Sequence, residues 1–180
     1  MKKVTYLLSA GIPLDVQASD GTSALMAAAW AGHCSMAVAL ISADASLNLQ
    51  DSDGTTALIL AVSQGHTEMA VAMIGSGAKL DLQDSDGTTA LIAASWEGHT
   101  DIAMGLIGAD AMLNLQDKEG TTALIAACSQ GLTDVALALI GAGATVDLKD
   151  FGGFDALMVA TQAGHSTIAQ ALAPFQSFVN

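Results

Sequence analysis

The tetrapeptide Gly-Thr-Thr-Ala begins at Gly54, Gly87 and Gly120, and a close variant, Gly21-Thr22-Ser23-Ala24, begins at Gly21. The interval is 33 residues each time, and a further 33 lands on Gly153, ahead of Phe154-Asp155-Ala156-Leu157. This period is the strongest constraint on the fold, because a unit so short cannot bury an apolar face alone and must stack on its copies. Each block runs from the Gly-Thr turn through Ala-Leu and an apolar stretch to a short break, then through a second apolar stretch to an acidic turn. The break is Gly32-His33, Gly65-His66, Gly98-His99 and Gly164-His165. The acidic turns are Gln50-Asp51-Ser52-Asp53, Gln83-Asp84-Ser85-Asp86 and Gln116-Asp117-Lys118-Glu119. Residues 1–20 match only the second half of a block, Leu7-Leu8-Ser9-Ala10-Gly11 aligning with Met73-Ile74-Gly75-Ser76-Gly77 after a shift of 66.

Within the block 54–86, Thr56 reads as the N-cap of a helix over 57–63. Gly65-His66 breaks that helix, and Thr67 reads as the N-cap of a second, with Glu68 near its positive end. The second helix ends at Gly75-Ser76-Gly77, where Gly77 can take the left-handed conformation of a C′ residue. Leu80-Asp81-Leu82 alternates like a short extended arm, and Asp84-Ser85-Asp86-Gly87 is a tight turn. Helices this short are unstable alone in water. With 52% apolar but only 4% aromatic residues, the stacked core has to be built from Ala, Leu, Ile, Val and Met.

These features together resemble the ankyrin repeat family: the period, the Thr-x-Leu helix start, the Gly-His between helices, the Gly-Ala after the second helix and the Asp-x-x-Gly turn. The likeness covers about residues 4–172. The family's Thr-Pro-Leu-His becomes Thr-Ala-Leu-Ile or Thr-Ala-Leu-Met, with Ile59, Ile92 and Ile125 in place of His. The fold expected from the resemblance is an all-α solenoid of helix-turn-helix units with short β-hairpin-like turns. It forms one domain over 1–180: a half repeat (1–20), four full repeats (21–53, 54–86, 87–119, 120–152) and a C-terminal capping repeat (153–180). The resemblance also implies non-catalytic binding of a protein or peptide, with no cofactor, on the concave face made by the turn tips and the exposed end of each first helix. By register, the tip positions are Ser52, Asp53 and Thr55; Ser85, Asp86 and Thr88; and Lys118, Glu119 and Thr121. The helix-end positions are Trp30; Ser63 and Gln64; Trp96 and Glu97; and Ser129 and Gln130. Trp30 and Trp96 are the sharpest candidates, since Trp is enriched among binding hot spots and a large ring at an exposed helix end needs a reason to be there. They stand two repeats apart, ~16–20 Å at typical helix spacing. The alternative is a structural spacer or oligomerising segment of a larger protein.

A second period lies on the first. Trp30, Ser63, Trp96 and Ser129 share one register; Asp44, Gly77, Asp110 and Gly143 a second; Asn48, Asp81, Asn114 and Asp147 a third. All three alternate every 66 residues, which suggests duplication of a two-repeat unit. Asp is a poorer left-handed residue than Gly, so the linked loss of Gly in the Trp-bearing blocks reflects either a different local geometry or shared ancestry.

Five Lys and no Arg face 18 acidic residues, for a net charge of −13. This argues against nucleic-acid binding, which needs cations for the phosphates. The acidic turns instead form a ladder suited to a basic partner. Mean hydropathy is +0.49, and residues 21–43 carry no charge, a stretch long enough to cross a bilayer. That stretch is broken by Gly32-His33 and by serines, and its equivalents contain Glu68, Glu97, Asp101 and Asp134, so no membrane span is expected. The four histidines come one per repeat, too far apart to converge on a zinc ion. The Asp-Ser-Asp-Gly pieces lack the distal Glu of a calcium loop. Ser, His and Asp recur as repeat positions rather than as a nucleophile–base set, and Gly75-Ser76-Gly77 ends a helix where a phosphate loop would begin one.

Cys34 and Cys128 lie about three repeats apart and cannot bridge within one chain. With no secretory signal legible, an intracellular, cytoplasmic setting is expected. At the C-terminal end, Phe151 and Phe154 replace polar tip residues and Pro174 stops the last helix, as a cap requires. At the other end, half a repeat leaves the next first helix thinly covered. Either Tyr6 and Leu7 patch that edge, or the array continues, or the edge self-associates.

Overall fold

The computed structural model describes residues 13–175. Among them are ten helices in five consecutive pairs: α1 (Ala24–Trp30) and α2 (Cys34–Ser42), α3 (Ala57–Ser63) and α4 (Thr67–Gly75), α5 (Ala90–Glu97) and α6 (Thr100–Gly108), α7 (Ala123–Gln130) and α8 (Thr133–Gly141), and α9 (Ala156–Gln162) and α10 (Ser166–Leu172). A 3₁₀ turn, Ala173–Phe175, closes the last pair. Tyr6, Leu7 and Phe178 lie outside the described residues.

The first helix of each pair starts where a short side chain caps it. Ser23, Thr56, Thr89, Thr122 and Asp155 are extended, and each accepts the backbone N–H three residues on, as in Ile59 N to Thr56 Oγ1 at 3.2 Å. This satisfies one of the helix's orphan donors. The second helices start differently, and the expectation for Thr67 is corrected. Their N-caps are His33, His66, His99, Leu132 and His165, without a side-chain capping bond, and Thr67 is the first helical residue. The tight link is made by the backbone instead: His66 N donates to Ala61 O at 2.8 Å, and Thr67 N to Gly65 O at 2.9 Å. Cys34 holds the same first helical position as Thr67.

The loop histidines hold repeats together. A Cβ on Gly32 would lie 2.7 Å from Cε1 of His66, and one on Gly65 would lie 2.6 Å from Cε1 of His99. The ring of each following repeat fills the space that Gly leaves, and Gly32 and Gly65 both adopt φ +69°. His165 packs on Gly131 in the same way, while Leu132 meets Gly98 more loosely.

The first helices of the three middle pairs, α3, α5 and α7, are buried almost throughout, with Leu58, Leu91 and Leu124 among the most enclosed side chains. The second helices contribute one inward stripe each, such as Met69, Ala70 and Met73, or Ile102, Ala103 and Leu106. First helices pack on one another more intimately than second helices do. Alanines at their contacts allow this, and the side formed by the first helices and turn tips is termed the inner side of the stack.

The first four second helices, α2, α4, α6 and α8, close alike. Asp44 and Asp110 adopt φ 61°, against 83° and 89° at Gly77 and Gly143. In each case the next residue donates to the same carbonyl register, as in Ala45 N to Leu40 O (3.1 Å) and Ala78 N to Met73 O (3.0 Å). All four residues are left-handed C′ positions, so the Asp-for-Gly exchange does not mark a different turn.

Candidate functional site

The inner rim of the stack is the row of turn tips. Each tip is folded by its first acidic residue: Asp51 Oδ1 accepts the N–H groups of Asp53 (3.0 Å) and Thr55 (2.8 Å), and Asp84 and Asp117 do the same one and two repeats on. Asp51 N donates to Thr55 O, closing the hairpin-like turn. In the first turn Ala18 stands in that register, and Asp20, in the register of Asp53, accepts from Thr22 N instead (2.9 Å). There the Thr22 backbone N–H, and secondarily its side chain, holds the Asp20 carboxyl below its ordinary pKa. Half of the acidic ladder is thus engaged in shaping its own turns. The outer acids, Asp53, Asp86 and Glu119, are exposed. Lys118 interrupts them, its Nζ lying 3.5 Å from Asp86 Oδ1.

Three lines of hydrogen bonds run from repeat to repeat and fix the spacing of the tips. Backbone N–H groups of Ser52, Ser85, Lys118 and Phe151 donate to the carbonyls of Asp20, Asp53, Asp86 and Glu119. Gln50 Nε2 donates to Gly54 O in its own tip (2.6 Å) and to Gln83 O in the next repeat (3.0 Å). Gln83 and Gln116 repeat the bridge. In a third line, Asn48 Oδ1 accepts from Lys79 N, Asp81 from Met112 N and Asn114 from Thr145 N, each at 2.8 Å. Asp15 begins this line at Ser46. The Gln and Asn/Asp lines are missing from the sequence reading. The recurrence of Gln at the head of each turn and the Asn/Asp exchange at 48, 81 and 114 were the available signals, since both residues offer the same Oδ1 acceptor.

On this scaffold the expected contact residues fall unequally. Trp30, at the end of α1, is 62% exposed, and Trp96, near the end of α5, is 37% exposed. Gln64, Glu97 and Gln130 are exposed, as are Ser52, Asp53, Ser85, Asp86, Lys118 and Glu119. Ser63, Ser129, Thr55 and Thr88 are half-buried, and His165 Nε2 lies 3.3 Å from the Ser129 carbonyl oxygen. Thr121 leaves the set. It is only 6% exposed and serves as a donor to Asp117, beside a Gly120 so close to the Phe151 ring that a Cβ there would meet Cδ1 at 2.9 Å. Phe151 and Phe154 themselves are exposed at the last tip.

A family model described as Ankyrin repeats (3 copies) matches residues 25–114 and 104–180. The chain belongs to the ankyrin repeat family. No curated protein matches the chain. Ankyrin repeats are generally protein–protein interaction modules and generally non-catalytic. Among the described residues of this ankyrin array, no three His, Cys, Asp or Glu side chains converge as a metal site would require. No helix among them is long and apolar enough to cross a membrane. Cys128 is enclosed in α7, and burial pushes its thiol pKa up to about 12.

Proposed function

We propose that this array binds a protein or peptide of basic character on its inner face, with Trp30 and Trp96 as apolar anchors between the acidic tips. The observation that carries the reading is the pair of exposed rings, which recur in one register two repeats apart. Trp30 stands mostly in water and Trp96 over a third in water, and Trp desolvated by a partner contributes strongly to binding. Asp53, Asp86 and Glu119 supply the charge that speeds encounter, and Ser52, Thr55, Ser63, Gln64, Ser85, Thr88, Glu97, Lys118, Ser129 and Gln130 form the polar rim. The hydrogen-bonded tip spacing limits the ordering cost of binding. An intracellular setting accords with this reading, because Cys34 and Cys128 are unpaired thiols in different repeats.

The test is affinity capture from the source lysate with the native chain and with a Trp30→Ala, Trp96→Ala double variant. A partner retained by the first and lost from a variant of unchanged melting temperature is the expected outcome. A double variant that melts like a core truncation would instead make the rings part of the fold.

One observation favours a second reading, self-association through the N-terminal edge. Ala24 and Ala27 are exposed on α1, whereas Ala57, Ala90 and Ala123, which share the register of Ala24, are buried against the preceding repeat. Sedimentation of the chain across a range of concentrations separates an oligomerising segment from a monomeric binding module.

A further inference from the structure

The outer side of the stack carries a second surface that the inner-face reading leaves unused. Val38, Val71, Met104 and Leu137 occupy one register of the second helices, and they are 40%, 53%, 44% and 43% exposed. Single exposed apolar residues need no explanation, but four in line along a solenoid form a continuous stripe. Glu68, Asp101 and Asp134 stand three residues before Val71, Met104 and Leu137 on the same helices. Residues at that spacing share a helix face, so an acidic row runs beside the apolar one. Each acid lies in the first turn of its helix, where the helix dipole favours negative charge. That accounts for the acids but leaves the apolar stripe unexplained. The three lysines among the described residues, Lys79, Lys118 and Lys149, lie outside the second helices.

We propose that this outer face docks an amphipathic helix of a partner protein, one whose apolar edge lies along Val71, Met104 and Leu137 and whose lysines or arginines meet Glu68, Asp101 and Asp134. The charge pattern selects this occupant. A second copy of the chain would bring acid against acid at a net charge of −13, and an anionic membrane would be repelled by the same row. The spacing also suits a helix laid along the solenoid. Packed helices are ~8–10 Å apart, and seven residues of α-helix advance about 10.5 Å. Every seventh residue of the partner would then meet the next repeat, drifting only about 20° around its own axis at each step. Contact of this kind is the helix-in-groove mode, with apolar anchors along one edge and charges beside them.

The experiment uses a labelled synthetic peptide of about 21 residues, with Leu at every seventh position and Lys on the flanking edge, titrated with the full chain by fluorescence anisotropy. Three substitutions, Val71→Gln, Met104→Gln and Leu137→Gln, remove the stripe without changing net charge, and together should weaken binding at least about thirtyfold. The set Glu68→Gln, Asp101→Asn and Asp134→Asn should weaken it about three- to tenfold in low salt, with the difference closing in high salt. A peptide with Glu in place of Lys should not bind. All six positions are exposed, so both variants should retain the native circular dichroism. Hydrogen exchange on the wild-type complex provides a readout that needs no variant, and protection should fall on α4, α6 and α8. Equal affinity for wild type and stripe variant would overturn the proposal, since it would reduce the interaction to nonspecific attraction by a −13 chain. Protection confined to the turn tips would overturn it as well. So would stripe-dependent binding to phosphatidylcholine vesicles with none to the peptide, which would make the face a lipid-binding surface.

Discussion

At the scale of single residues, the left-handed C′ positions give the clearest expectation. Asp44 and Asp110 hold φ 61° with the same backbone closure that Gly77 and Gly143 make. An L-residue with a Cβ costs about 1 kcal/mol there relative to Gly. Asp44→Gly and Asp110→Gly should each raise stability by about 0.5–1 kcal/mol in urea unfolding. A loss of stability would show that the carboxylate contributes something no contact at these sites explains. Cys128 gives a second expectation. Its thiol is fully enclosed, with its pKa pushed up to about 12, whereas Cys34 is half-buried. At pH 8 one thiol per native chain should react with an aromatic disulfide, and two after denaturation. Because the folded pKa lies above the unfolded one, the unfolded chain loses its thiol proton first as pH rises past about 9. The stability from keeping Cys128 neutral is therefore fully present below that pH and is lost on the way to 12. Cys128→Ala should flatten this alkaline decline relative to the native chain.

At the scale of elements, what was legible depended on whether the signal is local. Thr56 and Gly77 mark helix ends through their own backbone preferences, and both act where the sequence placed them. Thr67 misled because the Gly65-His66 link closes through backbone bonds, moving the helix start back by one residue. Thr121 misled because it is enclosed beside Gly120, which Asp150 and Phe151 crowd from about thirty positions on, in a repeat whose tip departs from the others. The Gln and Asn/Asp bridges were illegible for the same reason: their partners are 31 or 33 residues away. These bridges carry a prediction of their own. Gln83→Ala removes two hydrogen bonds at a half-buried site and leaves the Gly87 and Gln116 carbonyls without that donor, which should cost about 1–2 kcal/mol. Gln17 sits at the exposed end of the same ladder, and Gln17→Ala should cost less than half as much. Equal costs in chemical unfolding would mean that the bridges follow repeat stacking rather than support it.

At the scale of the whole molecule, stability is a sum of repeats and of interfaces between neighbours, and the charge acts on that sum. Asp53, Asp86 and Glu119 recur once per repeat along the tips, Glu68, Asp101 and Asp134 once per repeat along the outer face, and Lys118 with Asp86 is the ion pair found among the described residues. Like charges spaced about 10 Å apart interact strongly in dilute buffer and weakly once the Debye length drops below that distance, as it does above about 0.1 M salt. Moving from about 0.01 M to about 0.5 M sodium chloride should therefore stabilise the array, by about 1 kcal/mol, through screening of its own repulsion. The same change should slow association with any basic partner, because steering depends on the unscreened field. The two effects have opposite consequences for binding, and stopped-flow association with parallel thermal melts reads them separately. A melting temperature indifferent to salt would mean that the repulsion between these exposed carboxylates is too weak to oppose the fold. In that case the surplus of acid would act on partners alone, without opposing the fold that presents it.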